Sequence, residues 1–118
     1  MRAEVRRLHS PDVPDLRVYD PPVGDDFSVL IQILAGPVGS DGEESFDIEV
    51  VTPKRLASRV AQKGPLNGRH LLIVESFDYA TVERWIQRAV AACEGSDWRQ
   101  VAECLARVGR WEFEDYRE

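Results

Sequence analysis

The stretch from Phe27 to Val51 constrains the fold of this chain more than any other. It opens with FSVLIQILA, passes through GPVGSDGEE after Ala35, and closes with SFDIEVV. The opening run is β-branched, almost continuously apolar and bounded by turn residues, as expected of a central strand covered on both faces. In the closing run Phe46, Ile48 and Val50 point one way and Asp47 and Glu49 the other, the alternation of a half-buried strand. Glycines and a proline make the connection too irregular to prolong either strand. The pair reads as an antiparallel hairpin around which everything else must pack.

Before the hairpin, AEVRRL at 3–8 offers a weak edge-strand signal. Residues 9–26 then hold Pro11, Pro14, Pro21, Pro22, Gly24 and five aspartates. Proline removes backbone donors and aspartate favours local turns, so this segment predicts a loop over the surface. After the hairpin, Thr52-Pro53 starts a helix with a hydroxyl at the cap and proline in the first turn. Leu56, Ala57, Val60 and Ala61 follow at helical spacing, and Gly64-Pro65 ends the element. HLLIVE at 70–75 predicts another strand. Tyr79, Val82, Ile86, Ala89, Val90 and Cys93 form an apolar helical stripe facing a core, closed by Gly95. A third helix is expected with Ser96 as its cap, a stripe of Trp98, Val101, Ala102, Leu105 and Val108, and Gly109 at its end. The tail WEFEDYRE alternates well enough for a last short strand. Strands early and helices late favour α+β: one small domain over residues 1–118, a mainly antiparallel sheet of about four to five strands packed by about three helices.

Charge is distributed unevenly. Residues 9–49 carry ten acids against one base, Arg17, whereas residues 50–110 carry ten bases against six acids, within a formal net charge of −6. An acidic front third is unsuited to wrapping a phosphate backbone, so no nucleic-acid partner is expected. No apolar stretch has the length of a membrane span, and MRAEVRRLHS lacks the apolar core of a secretory signal. Cys93 and Cys104 match no zinc or redox spacing and read as two packed thiols of a reducing cytosol. A cytoplasmic location follows from these readings.

No chemistry-bearing motif emerges. His9 and His70 lack metal-ligand partners at short spacing. The serines sit in no nucleophile elbow. Gly36, Gly39 and Gly42 follow a strand but lack a phosphate-loop lysine, and Glu43 and Glu44 would repel phosphate. Asp41-Gly42-Glu43-Glu44 does not fit an EF-hand loop. The expectation is therefore no catalytic residue, no metal and no cofactor. Two binding candidates remain. One is the acidic hairpin, Asp41, Glu43, Glu44, Asp47 and Glu49, whose carboxylates would suit a basic partner if they converge; a solvated strand face reads the same way. The other is the tail, Trp111, Glu112, Phe113, Glu114, Asp115 and Tyr116, where aromatics flanked by acids look like interface anchors, or like a chain end sealing the core.

Four blocks, RRLHSPDV, GPVGSDGEESFDIEVVTPK, GRHLLIVE and CEGSDWRQVAECLARVGRWEFEDY, together resemble immunity protein 8, a family of bacterial polymorphic-toxin immunity proteins. LHSPD, GEESFD and WEFEDY are the most specific parts, and the likeness spans essentially the whole chain. It implies a small cytoplasmic α+β protein, not an enzyme, that binds and neutralises a cognate toxin in the producing cell. It supplies no toxin-contacting residue. Many such toxins are nucleases with basic clefts, which an acidic patch would oppose. The alternative is a small ligand-binding or regulatory domain using a cavity between sheet and helices. Homo-oligomerisation through the tail or an open sheet edge is left open.

Overall fold

A computed structural model describes residues 1–113 of the chain. Its elements run β1 (Ala3–His9), a 3-10 turn (Leu16–Val18), β2 (Ser28–Pro37), β3 (Glu44–Val51), α1 (Pro53–Lys63), β4 (Leu71–Ile73), α2 (Tyr79–Ala91), α3 (Trp98–Leu105) and β5 (Arg110–Trp111). The fold is α+β. β2 and β3 form the expected hairpin, in register from Ser28 opposite Val51 to Ala35 opposite Glu44. β1 adds antiparallel to β2, with a bulge between Val5 and Arg7. On the far side of β3, two short strands share one edge. β5 lies antiparallel beside Phe46 and Asp47, and β4 lies parallel beside Glu49 to Val51. β3–α1–β4 is thus a single parallel crossover in an otherwise antiparallel sheet.

One sheet face carries the core. Val29, Ile31, Ile33 and Ala35 of β2 meet Phe46, Ile48 and Val50 of β3, and α2 and α3 close over them with Val82, Ile86, Val90, Val101, Ala102 and Leu105. Tyr19, Phe27 and Phe77 extend this core as edge-to-face rings 5.1–6.2 Å apart, and burial raises the pKa of the Tyr19 phenol, with the Asp12 carboxylate adding to the effect.

β2 was expected to be covered on both faces, and it is fully buried on one. Its residues alternate between buried and half-buried, and the half-buried ones, Ser28, Leu30, Gln32 and Leu34, make up the second face. The reason is α1. Its apolar residues have helical spacing, yet none of its residues is buried, and Val60 is 45% exposed. The helix is held instead at its root and by charge. The Thr52 hydroxyl, fully buried, accepts from the backbone N–H of Phe27 at 3.1 Å and of Arg55 at 3.4 Å. Lys54 pairs with Asp25 and Arg55 with Asp26, which gives two aspartates of the proline-rich loop a task beyond turn formation.

Three further expectations are corrected. α3 is capped by Asp97 and not Ser96: the Asp97 carboxylate accepts from the Gln100 N–H at 2.9 Å. The final strand is two residues long and begins at Arg110, with turns at 112–113. Cys93 and Cys104 are not free thiols but a disulfide, with Cα atoms 5.6 Å apart, tying the end of α2 to α3. A separation of eleven in helical sequence matches no motif that signals pairing; the turn between α2 and α3 folds the two cysteines together. The cysteines therefore no longer support a reducing compartment.

Candidate functional site

In an antiparallel sheet, residues directly opposite share a face, so the register defines what the open, half-buried face presents. One row across the strands is Arg7, Leu34 and Ser45; the next is His9, Gln32, Asp47 and Arg110; a third is Leu30, Glu49 and Leu71. Half-buried leucines alternate there with polar and charged groups. Leu30, Gln32, Leu34 and Arg7 were not singled out from sequence, although Ser28 and Gln32 fall on one parity of β2 and mark the face that water reaches.

The three acids of β3 divide between the two faces. Asp47 and Glu49 share the register of the open face, whereas Glu44 shares that of Phe46 and turns toward Trp111; Asp41 and Glu43 lie in the connecting loop. Each has a distinct partner. Glu43 pairs with Arg7 at 3.3 Å. Glu49 is gripped through both oxygens by Arg59, at 3.1 and 2.5 Å, and also accepts from the Ser28 hydroxyl. The Arg59 hydrogen bonds hold the Glu49 carboxyl below the usual carboxylate range, against the opposing effect of burial, and Glu49 in turn raises the pKa of the Arg59 guanidinium. Asp47 accepts from the Ser45 hydroxyl at 3.1 Å, with Arg110 opposite it across the sheet. Asp41 is exposed in the connecting loop and engages no partner among the described residues. Arginines from β1, α1 and β5 thus stand beside the acids, and the open face presents both signs of charge.

The connecting loop is fastened by Arg6, whose guanidinium donates to the carbonyl of Pro37 at 2.8 Å and to that of Ser40. Gly36 is required by this close approach, because a Cβ there would run into the carbonyl oxygen of Gly42.

Residues 111–113 lie at the end of the sheet beside β3. Trp111 donates from Nε1 to Glu44 at 2.7 Å and stacks on Phe46 with ring centroids 6.2 Å apart. Glu112 brackets Ser45: its carboxylate accepts from the Ser45 N–H at 2.9 Å, and its own N–H donates to the Ser45 carbonyl at 3.1 Å. Phe113 meets Trp111 edge-on and stays 44% exposed. Glu44, Trp111 and Glu112 are therefore brought together, apart from Asp47 and Glu49. Glu114 and Asp115 lie outside the described residues.

His70 holds a left-handed backbone conformation, φ 63°, and its Nε2 lies 2.6 Å from the carbonyl oxygen of Ala106. Its own carbonyl accepts from the Glu49 N–H at 3.0 Å, so it joins β4 to β3 and to the end of α3. Among the described residues, no group of three or more His, Cys, Asp or Glu side chains could hold a metal ion, and no helix is long and apolar enough to cross a membrane.

The model of the immunity protein 8 family matches residues 3–116, from the first strand into the acidic tail. The chain belongs to the immunity protein 8 family. The match includes every element described above and both candidate binding regions. Comparison with curated proteins and with solved structures found no match. Membership carries with it the general role of a toxin immunity protein and a toxin as partner. In this family member the layer between sheet and helices is filled: Ile31, Ile48, Ile86 and Val101 are each at most 1% exposed.

Proposed function

We propose that the chain binds a cognate polymorphic toxin and neutralises it by stoichiometric occlusion in the cytoplasm of the producing cell, without catalysis of its own. The family match over residues 3–116 carries this reading. The open sheet face supports it physically. Leu30, Leu34 and Leu71 offer apolar area to desolvate, and Asp47, Gln32 and His9 between them offer directional polar contacts, the mixture that protein interfaces use. The contact surface combines this face with the hairpin loop, through Asp41, Glu43, Asp47 and Glu49, and reaches Glu44, Trp111 and Glu112 at its rim; Glu114 and Asp115 join the proposal on the sequence alone. A toxin whose active cleft is basic, such as a nuclease, would be steered by the acids and denied its substrate.

The test is a binding titration against the toxin encoded next to the gene. Changing Asp41, Glu43 and Asp47 together to Asn, Gln and Asn should weaken binding and flatten its dependence on salt. Affinity and salt slope both unchanged would remove the hairpin acids from the interface.

A further inference from the structure

The disulfide between Cys93 and Cys104 closes a covalent ring around the turn from α2 to α3, and that ring contains Trp98, the first residue of α3. Trp98 is half-buried and packs against the core. It also lines a cavity of about 270 Å³ with Pro37, Asp41, Gly42, Glu43 and Glu44. The ring therefore reaches the acids of the connecting loop through one side chain.

One part of the ring is fixed and the other is not. Val101, Ala102 and Leu105 are buried and hold the C-terminal part of α3 to the core, and the Ala106 carbonyl oxygen lies 2.6 Å from His70 Nε2. The N-terminal part is organised within itself. The Asp97 carboxylate accepts from the Gln100 N–H at 2.9 Å, and the Gln100 side-chain oxygen accepts from the Ser96 N–H and hydroxyl, each at 2.9 Å. The chain terminus ties this turn to β1. Met1 and Gly95 exchange backbone hydrogen bonds of 2.9 and 3.0 Å, and Arg2 pairs with Glu94 at 3.6 Å with the side chains 71% and 69% exposed. Exposed ion pairs contribute little and chain ends fray. The disulfide is the strongest restraint on the turn that carries Trp98.

The two sulfurs differ in access. Cys93 is 2% exposed, whereas Cys104 is half-buried. A glutathione thiolate from solvent therefore attacks Cys104 Sγ; the protein disulfide breaks, and Cys93 leaves as a thiolate that takes a proton. A second glutathione thiolate attacks the glutathione sulfur of the mixed disulfide, which frees Cys104 to take a proton and releases glutathione disulfide. The reverse sequence closes the ring. With two cysteines in the chain, no other internal pairing competes.

We infer that the Cys93–Cys104 pair is a redox switch on the hairpin site: with the ring closed, Trp98 walls the cavity beside Asp41, Glu43 and Glu44, and with the ring opened by thiol exchange, the turn at 94–97 loosens and that wall moves while the core stays folded. In a thiol-buffered compartment such a pair is reversible, not a permanent staple. The effect on partner binding rests on the toxin reading above; the coupling from the cysteines to the loop does not.

The test places the full chain in buffers of varied reduced-to-oxidised glutathione, with free thiols counted by alkylation and mass spectrometry and amides and indoles followed by NMR. The pair should titrate reversibly in the folded chain. The Trp98 indole and the Gly42–Glu44 amides should shift in proportion to the thiol fraction, with Ile31 and Ile48 unmoved. Cys93→Ala combined with Cys104→Ala should show the reduced chain's shifts at every ratio. In Trp98→Leu the pair should still titrate while the Gly42–Glu44 amides stop responding. A pair that glutathione leaves oxidised, a chain that unfolds on reduction, or loop amides that ignore the thiol fraction would each overturn the inference. The closed chain, with its wall already in place, should bind the toxin encoded next to the gene about fivefold more tightly than the open one. Equal affinity would overturn the control of binding, whereas no binding by either form would remove the toxin reading and leave the coupling standing.

Discussion

Arg59 of α1 grips both carboxylate oxygens of Glu49 on β3, at 3.1 and 2.5 Å, with each side chain 25% exposed. The pair links a helix that buries no residue to the half-buried face of the sheet. It also occupies an acid that, in the sequence, looks free for a partner. Charge here positions structure before it recognises anything.

Glu49→Gln should therefore loosen α1 more than it lowers global stability. The fork geometry and partial burial place the pair above an ordinary surface ion pair, at about 1–2 kcal/mol. Amide exchange should speed up across Pro53–Lys63 while β2 stays protected; unchanged exchange in α1 would refute the tether.

The same pair sets a pH dependence. The Glu49 carboxyl titrates below the ordinary glutamate value of 4.5, chiefly because Arg59 hydrogen-bonds the ionised form. A depressed pKa contributes stability that is complete above the unfolded value and is lost as pH falls through the folded one. Denaturation midpoints should thus be steady at neutral pH and drop below about pH 4, with a shallower drop in Glu49→Gln. An identical acid limb in the variant would assign the effect to other carboxylates.

The disulfide between Cys93 and Cys104 closes a short loop, at a sequence separation of 11. Restricting the unfolded chain over such a loop stabilises by about 3 kcal/mol in the chain-entropy model. Thermal unfolding with and without a strong reductant should show a lower midpoint on reduction, matched by the Cys93→Ala, Cys104→Ala double variant, which should itself be insensitive to reductant.

Gly36→Ala should destabilise the hairpin loop, because its Cβ would meet the carbonyl of Gly42 and the Arg6 guanidinium that fastens the loop. About 2 kcal/mol or more is expected in denaturant titration. Gly24→Ala, where a Cβ meets nothing within 4 Å, is the control and should change little.

The hairpin and the Thr52-Pro53 helix start were legible because strand alternation and capping are local. α2 was legible because its stripe and its burial coincide. The open face was not: FSVLIQILA is apolar enough to suggest cover on both sides, and whether α1 lies over it depends on Asp25, Asp26 and Glu49 catching its basic residues. The sharing of one β3 edge by β4 and β5 depends on where His70 and Gly109 bring distant segments, which no spacing rule encodes. Among the candidate residues, the outward register of Asp47 and Glu49 could be read from alternation. The bond from Trp111 to Glu44 could not, since 67 residues separate them.

The central claim is that this chain neutralises a toxin by binding it. The most direct measurement is the activity of the purified neighbouring toxin domain titrated with the purified chain. Inhibition should rise linearly and reach completion at about one equivalent, with a complex of the same stoichiometry isolable by gel filtration. Full toxin activity in the presence of excess folded chain would contradict it.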